Sequence, residues 1–421
     1  MVDSVRKTEK MNQQIRTWQI ADGIRDLKTA VVEKPLRALQ SGEILIEVLF
    51  VPIHGSFWLA SNPDGIHPRY EEFLSDGSFV FGNGGVGRVI SVAGGCSGTR
   101  VGDYVSVMGH LPCANDSCYA CRVLHHYTEC DFDEGKIVGH GQGAPDGTFS
   151  CYCILPESVC EVCFSASDPP SEKELMPYMF GFLLADVRNA MARDPETLCK
   201  HRLLLIGAGY SSHLAAWILL RFSPQARIVV VDTLQERLKS IVQIAPESIR
   251  IIALPRRLVD GLNALLPDQK VGAQLAAAIE KIENCMEGFF GHRKCDLVLD
   301  ASSGNSIPLW ANSRVLRPGT HCILFGFGSD RLTLSQECLQ ISGLRILTSR
   351  GVGDVENRRA AIELIRLGAA DIILDKLIRG AQKLEGLDQA LAFIRTQHEL
   401  PRDLYRAPNA YIVPNEFSPK Q

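Results

Sequence analysis

The sequence predicts an α/β protein in which a β-rich module precedes a doubly wound parallel sheet. Six short apolar runs separated by helical patterns, with a glycine turn after the first of them, predict the parallel sheet. Short apolar segments broken by glycine turns between residues 15 and 110 predict the β-rich module. A length of 421 residues, 46% of them hydrophobic, leaves room for two domains with real cores.

A strand–turn–helix–strand unit begins at residue 203. The apolar run 203–206 is followed at once by Gly207 and Gly209, and a helical pattern comes next. Gly207 permits a sharp turn, and Gly209 has no Cβ to keep a pyrophosphate from the helix N-terminus. Asp232 ends the following apolar run, where a carboxylate can accept hydrogen bonds from a ribose 2′-OH. The unit predicts dinucleotide binding; the alternative is a buried unit whose glycines only turn the chain.

Other residues refine the cofactor prediction. Ser212 replaces the third glycine of the usual turn and is small enough for close packing of helix on strand. No basic residue follows Asp232 directly, which favours NAD(H) over NADP(H). Arg237, Ala301 and Gly326 complete the predicted cofactor-binding set, the last two at carboxyl ends of predicted strands, where ligands bind.

Composition restricts location and partners. A net charge of −4 and a pI near 6.3 give no electrostatic basis for binding nucleic acid or a membrane surface. No apolar run reaches the ~18 residues of a spanning helix, and the polar N-terminus lacks a signal-peptide core. Fourteen cysteines in such a chain predict reduced thiols in a cytoplasmic protein. We expect a small-molecule substrate and a homodimer or homotetramer.

Four cysteines within eighteen positions predict a structural zinc site. The residues are Cys113, Cys118, Cys121 and Cys130, and Cys118 and Cys121 have CxxC spacing. Four thiolates can hold Zn²⁺ tetrahedrally and stabilise a lobe with few apolar residues of its own. The alternative is a set of buried, reduced cysteines. A second CxxC, Cys160 and Cys163, falls in a predicted strand, where its thiols should not converge.

The remaining pattern sets the domain boundaries. The predicted parallel strands are 203–206, 228–231, 249–254, 296–299, 321–325 and 344–347. Asp354 should cap a helix that stops at Gly368, and 384–395 and 410–413 should form a second helix and a final strand. We place a catalytic domain at 1–181 with a disordered tail at 1–14, a nucleotide-binding domain at 182–333, and a C-terminal return to the catalytic domain at 334–421.

This combination resembles the medium-chain dehydrogenase/reductases, specifically the zinc alcohol and polyol dehydrogenase group. The resemblance extends over nearly the whole chain from about residue 15. It includes the lobe at 112–130, the Leu-Arg-Pro-Gly segment 316–319 and the Ser-Arg-Gly segment 349–351. It implies a Rossmann domain, a GroES-like catalytic domain and oxidoreductase activity with NAD(H) and one structural Zn²⁺.

The catalytic zinc set of that family is not matched. His54 stands where the family has a cysteine ligand, and the family's Gly-His-Glu is here Gly82-Asn83-Gly84. The position of the third ligand is Phe182. Because an amide is a poor zinc ligand and phenylalanine is none, the resemblance does not imply a catalytic zinc here. Asp186, four residues beyond Phe182, is a remaining candidate ligand.

Without zinc, another group must supply the proton and stabilise the oxyanion. The working hypothesis pairs His54 with Asp186 and makes Ser56, at the position of the family's proton-relay hydroxyl, the relay. Asn83, Phe57, Trp58 and Phe182 are the predicted substrate-binding residues. In the alternative, His54 packs in a turn, Asp186 only orients the nicotinamide, Asn83 caps a turn, and the aromatic residues are core.

Two classes of function remain open. The first is a zinc-independent NAD(H) oxidoreductase acting on a small ketone, secondary alcohol or cyclic polyol, in a specialised biosynthetic pathway. Reduction of an activated alkene or iminium is a variant that needs a proton donor rather than a Lewis acid. The second class is a non-catalytic nucleotide-binding or scaffold protein.

Overall fold

The structure is a computed structural model, and its chain divides into two units. Unit 1 comprises Met1–Ala185 and Val352–Gln421, and unit 2 comprises Asp186–Gly351. The structure describes residues 14–21, 28–53, 79–113, 115–123, 130, 136–139, 145–256, 258, 269–302, 307–311, 314–325, 344–349, 351–398 and 410–415.

The N-terminal part of unit 1 is built from strands. They are β1 (Gln14–Ala21), β2 (Lys28–Pro35), β3 (Glu43–Ile53), β4 (Phe79–Val80), β5 (Gly84–Val92), β6 (Tyr104–Met108), β7 (His110–Leu111), β8 (Lys136–Ile137), β9 (Tyr152–Pro156) and β10 (Cys160–Phe164). The helices are α1 (Tyr119–Arg122), α2 (Glu172–Leu175) and α3 (Gly181–Ala192), the last of which continues into unit 2. Gln14 begins β1, and the rest of the predicted disordered tail lies outside the described residues.

Unit 2 is the predicted doubly wound sheet. Its strands are β11 (Arg202–Ile206), β12 (Arg227–Asp232), β13 (Ile249–Ala253), β14 (Leu297–Asp300), β15 (His321–Leu324) and β16 (Arg345–Thr348). Its helices are α4 (Tyr210–Phe222), α5 (Gln235–Val242), α6 (Gln269–Phe290) and α7 (Ile307–Ala311). All neighbouring strands are parallel in the order β13-β12-β11-β14-β15-β16. This order reverses between β11 and β14, as it does in dinucleotide-binding sheets.

The boundaries of this unit differ from the predicted 182 and 333. Unit 2 begins at Asp186 and ends at Gly351. The later end follows from β16, which pairs with β15 and therefore belongs to the nucleotide-binding sheet. Each of the six predicted strands agrees with the structure to within a residue at either end, because buried parallel strands give continuous apolar runs.

The C-terminal part returns to unit 1. Helix α8 (Val355–Leu364) begins at Asp354, whose carboxylate accepts the Asn357 amide at 2.7 Å. The predicted stop at Gly368 is wrong: this glycine, at φ 121°, kinks the chain, and helical turns continue through α9 (Ala370–Ile372) to residue 378. Strand β17 (Gln382–Glu385), α10 (Leu387–His398) and β18 (Ala410–Val413) follow.

The final strand completes the main sheet of unit 1. In the order β10-β6-β5-β3-β18-β17, β18 pairs antiparallel with β3 and parallel with β17, while β9 also pairs with β3. Strand β3 is buried along most of its length because it lies inside this sheet, and its apolar side chains enter the unit's core. Among the described residues, no helix is long and apolar enough to cross a bilayer.

A charge cluster anchors the N-terminal end of the parallel sheet. Asp296, just before β14, is 5% exposed and accepts hydrogen bonds from Arg202 and from the amides of residues 201 and 202. The Arg317 guanidinium lies 2.6 Å from the same carboxylate. Desolvation would raise the pKa of Asp296, but the hydrogen bond from Arg202 and the charges of both arginines outweigh it and hold this pKa below its usual value.

We expect Asp296→Asn to destabilise unit 2 by about 3 kcal/mol at pH 7, because it leaves two arginines without their buried partner. Since the folded-state pKa is depressed, this stabilisation is present above about pH 4 and is lost as the pH falls through the folded value. Calorimetric melting at pH 7 and pH 3.5 measures both effects. Glu287→Gln, which breaks the exposed pair with Arg293, is the control and should cost under about 1 kcal/mol. If Asp296→Asn destabilises the protein as much at pH 3.5 as at pH 7, the depressed pKa assigned to Asp296 is wrong.

Candidate functional site

The turn between β11 and α4 has the geometry of a phosphate-binding loop. Gly207 has φ 90°, a conformation that favours glycine, and a Cβ there would lie in tight contact, 3.3 Å from the backbone of residues 301 and 302. Gly209 caps α4 in an extended conformation, and a Cβ built on it meets no atom within 4 Å in the part of the chain that the structure describes. The space beside the helix N-terminus is therefore open for a bound anion.

A buried hydroxyl lies one turn into the same helix. Ser212 is fully buried, and its Oγ has no hydrogen-bond partner among the residues that the structure describes. A buried hydroxyl is normally paired, which makes this one a candidate for a bound ligand. The open glycine and this hydroxyl make the turn fit a dinucleotide pyrophosphate.

Asp232 occupies the end of β12 and contacts the turn directly. Its Oδ2 accepts the Ala208 amide at 2.6 Å, and its Oδ1 accepts the Leu234 amide at 2.7 Å. Each carboxylate oxygen has a further lone pair for a ribose hydroxyl. Asp232 therefore holds the glycine turn, and it has free lone pairs with which a ribose could be bound. The sequence predicts only the second role.

The other predicted cofactor residues are distributed as follows. Arg237 is half-buried on α5, and its charge acts on the Tyr210 hydroxyl, whose pKa burial raises well above its usual value. Ala301 is half-buried and faces Gly207 across the strand ends. Gly326 lies outside the described residues.

His213 is a further residue of this turn that the sequence pattern does not predict. This side chain is 4% exposed on α4, with Nδ1 2.9 Å from the Gly209 carbonyl oxygen and Nε2 3.1 Å from the Ser240 hydroxyl. A buried histidine directly after the glycine turn, at a position on the helix that faces the core, was the signal available in the sequence.

The four predicted zinc ligands converge. The Sγ atoms of Cys113, Cys118, Cys121 and Cys130 all lie within 4.8 Å of one another. Cys118 and Cys130 are 3.8 Å apart, close to the edge of about 3.8 Å that a tetrahedron with Zn–S bonds of about 2.3 Å requires. Cys118 caps α1, and its Sγ accepts the Cys121 amide. This donor set fits a structural Zn²⁺.

The second CxxC lies in a strand, as the sequence predicts. Cys160 and Cys163 are both buried in β10, and none of the cysteines that the structure describes forms a disulfide. Burial raises the pKa of the Cys163 thiol to about 12, so this pair lacks the thiolate character of a redox site.

Gly84 and Phe182 pack directly against each other. A Cβ added to Gly84 would lie 2.2 Å from Cδ1 and 2.8 Å from Cγ of Phe182. The Phe182 ring, 5% exposed at the start of α3, therefore occupies the space that any side chain at position 84 would need. The ring is part of the core of unit 1. Asn83, beside Gly84, is half-buried, and its carbonyl accepts the Gly109 amide.

Asp186 lies one turn further along α3 and belongs to unit 2. Desolvation raises the pKa of its carboxyl to about 7, although a hydrogen bond with the Gly351 backbone acts in the opposite direction. Asn189, on the same helix, donates to the Ser349 hydroxyl and to the Gly351 carbonyl. Helix α3 thus fixes the segment after β16 and presents a carboxyl that can exchange a proton near neutral pH.

Four predicted active-site residues, His54, Ser56, Phe57 and Trp58, lie outside the described residues. The proposed pairing of His54 with Asp186 therefore stays a prediction.

Comparisons with known proteins agree with this architecture. Residues 40–163 match the alcohol dehydrogenase GroES-like domain. The chain is 23% identical over 383 residues to a probable D-xylulose reductase A of Emericella nidulans, covering 90% of this chain and 92% of that protein. It is 33% identical to an L-threonine 3-dehydrogenase of Pyrococcus horikoshii over 120 residues, 27% of this chain and 30% of that protein.

Solved structures share the fold over nearly the full length. An alcohol dehydrogenase of Thermotoga maritima superposes with a TM-score of 0.69 at 16% identity, covering 96% of this chain and 100% of that one. The domain match and the full-length relatives support one family, and the solved structures show that the fold is shared. The chain belongs to the medium-chain dehydrogenase/reductase family. It is an oxidoreductase of the dehydrogenase/reductase type, with the predicted Rossmann and GroES-like parts.

Two positions that the resemblance assigns to the family's catalytic zinc pattern contact one another in this medium-chain dehydrogenase/reductase. On that predicted correspondence, glycine stands at the position of the acid, 84, and phenylalanine at the position of the third ligand, 182. Because the ring fills the space above Gly84, these two changes form one packed unit. The residues present at these positions do not fit a catalytic zinc ion.

Proposed function

We propose that this chain is an NAD(H)-dependent oxidoreductase that works without a catalytic zinc ion. Its substrate is a small ketone, a secondary alcohol or a cyclic polyol. The full-length relatives carry the name D-xylulose reductase, which supports a ketose–polyol pair as the substrate class. We also propose that the protein assembles as a homodimer or homotetramer and that it is located in the cytoplasm.

The open glycine turn carries this proposal. Gly209 leaves room for the pyrophosphate at the N-terminus of α4, and Ser212 offers a buried hydroxyl. Asp232 can accept the ribose hydroxyls, and its charge would repel the extra phosphate of NADP(H). A bound nicotinamide would supply or accept the hydride.

The protein's own residues must then handle the proton. Asp186, with a pKa of about 7, can hold or release a proton near neutrality, and His54 and Ser56 are the proposed partners in this transfer. The Gly84–Phe182 packing supports a mechanism in which these groups, rather than a metal ion, stabilise the oxyanion.

Gly209→Ala should weaken NADH binding at least tenfold without unfolding the protein. The added methyl group would meet no atom of the described residues within 4 Å, and the backbone conformation suits alanine. It would project into the space that the pyrophosphate needs. Titration calorimetry with NADH and NADPH gives the affinities, and wild-type protein should prefer NADH.

Gly288→Ala is the matched control. Gly288 lies on α6, and a Cβ there likewise meets nothing within 4 Å. This variant should bind NADH as the wild type does. Equal affinities for Gly209→Ala and Gly288→Ala would place the dinucleotide elsewhere, and no NADH binding by the wild type would refute the proposed function.

A further inference from the structure

We propose that His213 is a positioning residue that holds the phosphate turn and the ribose acid at a fixed separation; this inference rests on the proposed NAD(H) binding. His213 lies on α4, directly after the turn, and reaches α5, which follows Asp232 in the chain. Its two ring nitrogens contact groups on these two different elements.

The partners determine the tautomer of the ring. The Gly209 carbonyl can only accept a hydrogen bond, so Nδ1, 2.9 Å away, carries the hydrogen and donates. In the neutral ring Nε2 is then an acceptor, and the Ser240 hydroxyl donates to it over 3.1 Å. Both hydrogen-bonding positions of this buried imidazole are satisfied by this single arrangement.

The hydrogen bond from His213 Nδ1 holds Gly209, the N-cap residue of α4. The Gly209 carbonyl accepts both the His213 amide at 3.1 Å and Nδ1 of the same residue. Two donors hold the carbonyl along the helix, which fixes the peptide plane that follows Gly209. The amides of the first turn of α4 are thereby held toward the open space where a pyrophosphate would bind.

The second hydrogen bond adds a link between the two halves of the site. The ribose acid Asp232 already binds the turn through the Ala208 amide, on the strand side of Gly209. The Gly207 amide also donates to the Val231 carbonyl, next to Asp232, at 2.8 Å. These two hydrogen bonds hold the strand side of the turn, whereas His213 binds Ser240 on the helix side. The hydrogen bond from Ser240 to His213 therefore restricts the start of α4, which the two strand-side hydrogen bonds do not hold.

This arrangement predicts which ligands depend on His213. A ligand that spans the turn and the acid needs their separation to be fixed, whereas adenosine contacts the ribose acid alone. His213→Leu introduces an apolar side chain of similar reach that cannot make either hydrogen bond. We expect it to raise the dissociation constants of NADH and ADP-ribose about tenfold. The dissociation constant of adenosine should change less than twofold.

Conservative variants separate positioning from packing. His213→Asn retains a donor near the position of Nδ1 and should restore NADH binding to within about threefold of wild type. Ser240→Ala removes only the partner of Nε2 and should weaken NADH binding about threefold. Ser223→Ala is the control, because Ser223 is a buried serine at the other end of α4 and its Oγ has no partner among the described residues. This variant should bind NADH with wild-type affinity.

Titration calorimetry with NADH and ADP-ribose and ligand-observed NMR with adenosine test the inference. Wild-type affinity for NADH in both His213→Leu and Ser240→Ala would overturn it. An equal loss for adenosine and NADH, or no restoration by His213→Asn, would reduce His213 to a packing residue. If His213→Leu does not fold, the NADH affinity of Ser240→Ala still tests the inference. Failure of wild-type protein to bind NADH would instead refute the proposed function.

Discussion

Cys118→Ser should remove the metal from the four-cysteine lobe and lower the melting temperature of unit 1 by about 10 °C or more. The described core of this lobe consists of its cysteines and Ala120, so the proposed zinc would supply the stability that apolar packing does not. Structural zinc contributes on the order of 10 kcal/mol in small domains, and losing even half of that exceeds the effect of most core substitutions. Elemental analysis should find about one zinc per chain in the wild type and none in the variant.

Cys199→Ser is the control for this experiment. Cys199 is an exposed free thiol outside the lobe, and its replacement should leave both zinc content and melting temperature unchanged. Two zinc ions per wild-type chain would contradict the zinc-free active site. A wild-type protein without zinc would instead show that the lobe is a set of buried, reduced cysteines.

Gly84→Ala should destabilise unit 1 by about 3 kcal/mol, because its Cβ would lie 2.2 Å from the Phe182 ring. The ring cannot retreat easily, since the clash involves Cγ and Cδ1 rather than a flexible chain end. Phe182→Ala should cost a similar amount by leaving a cavity. In the double variant the alanine methyl enters that cavity, so the total loss should be smaller than the sum by about 0.5–3 kcal/mol, the range typical of contacting residues.

Urea denaturation of the four proteins completes this double-mutant cycle. Gly94→Ala is the matched control, since a Cβ on that glycine meets nothing within 4 Å, and it should change stability by under about 0.5 kcal/mol. Additive losses from the two variants would mean that residues 84 and 182 do not share one space. The catalytic zinc positions would then have diverged independently.

Local patterns predicted most of the fold. The six parallel strands are continuous apolar runs, and their order follows from the usual connections of such a sheet. Likewise the four-cysteine spacing predicted a cluster that the structure brings together. These features depend on residues near one another in the chain, which is why sequence patterns reveal them.

Contacts between distant residues could not be predicted in this way. The sequence predicts Gly84 and Phe182 as two separate departures from the family, and only the structure shows that the two residues pack against each other. His213 reads as a polar residue on an apolar helix face until Gly209 and Ser240 are placed around it. The buried pair of His321 and Asp194, 2.5 Å apart, was missed for the same reason.

The position of β18 has a consequence for synthesis of the protein. Ala410, near the C-terminus, pairs with Ile53 inside the main sheet of unit 1, whereas unit 2 is continuous from Asp186 to Gly351. During translation, the nucleotide-binding unit can fold before β18 has been synthesised, when the edge of β3 is still unpaired. A ribosome that stops before residue 410 therefore releases a chain whose parallel sheet is complete but whose main sheet in unit 1 has an open edge, which favours aggregation.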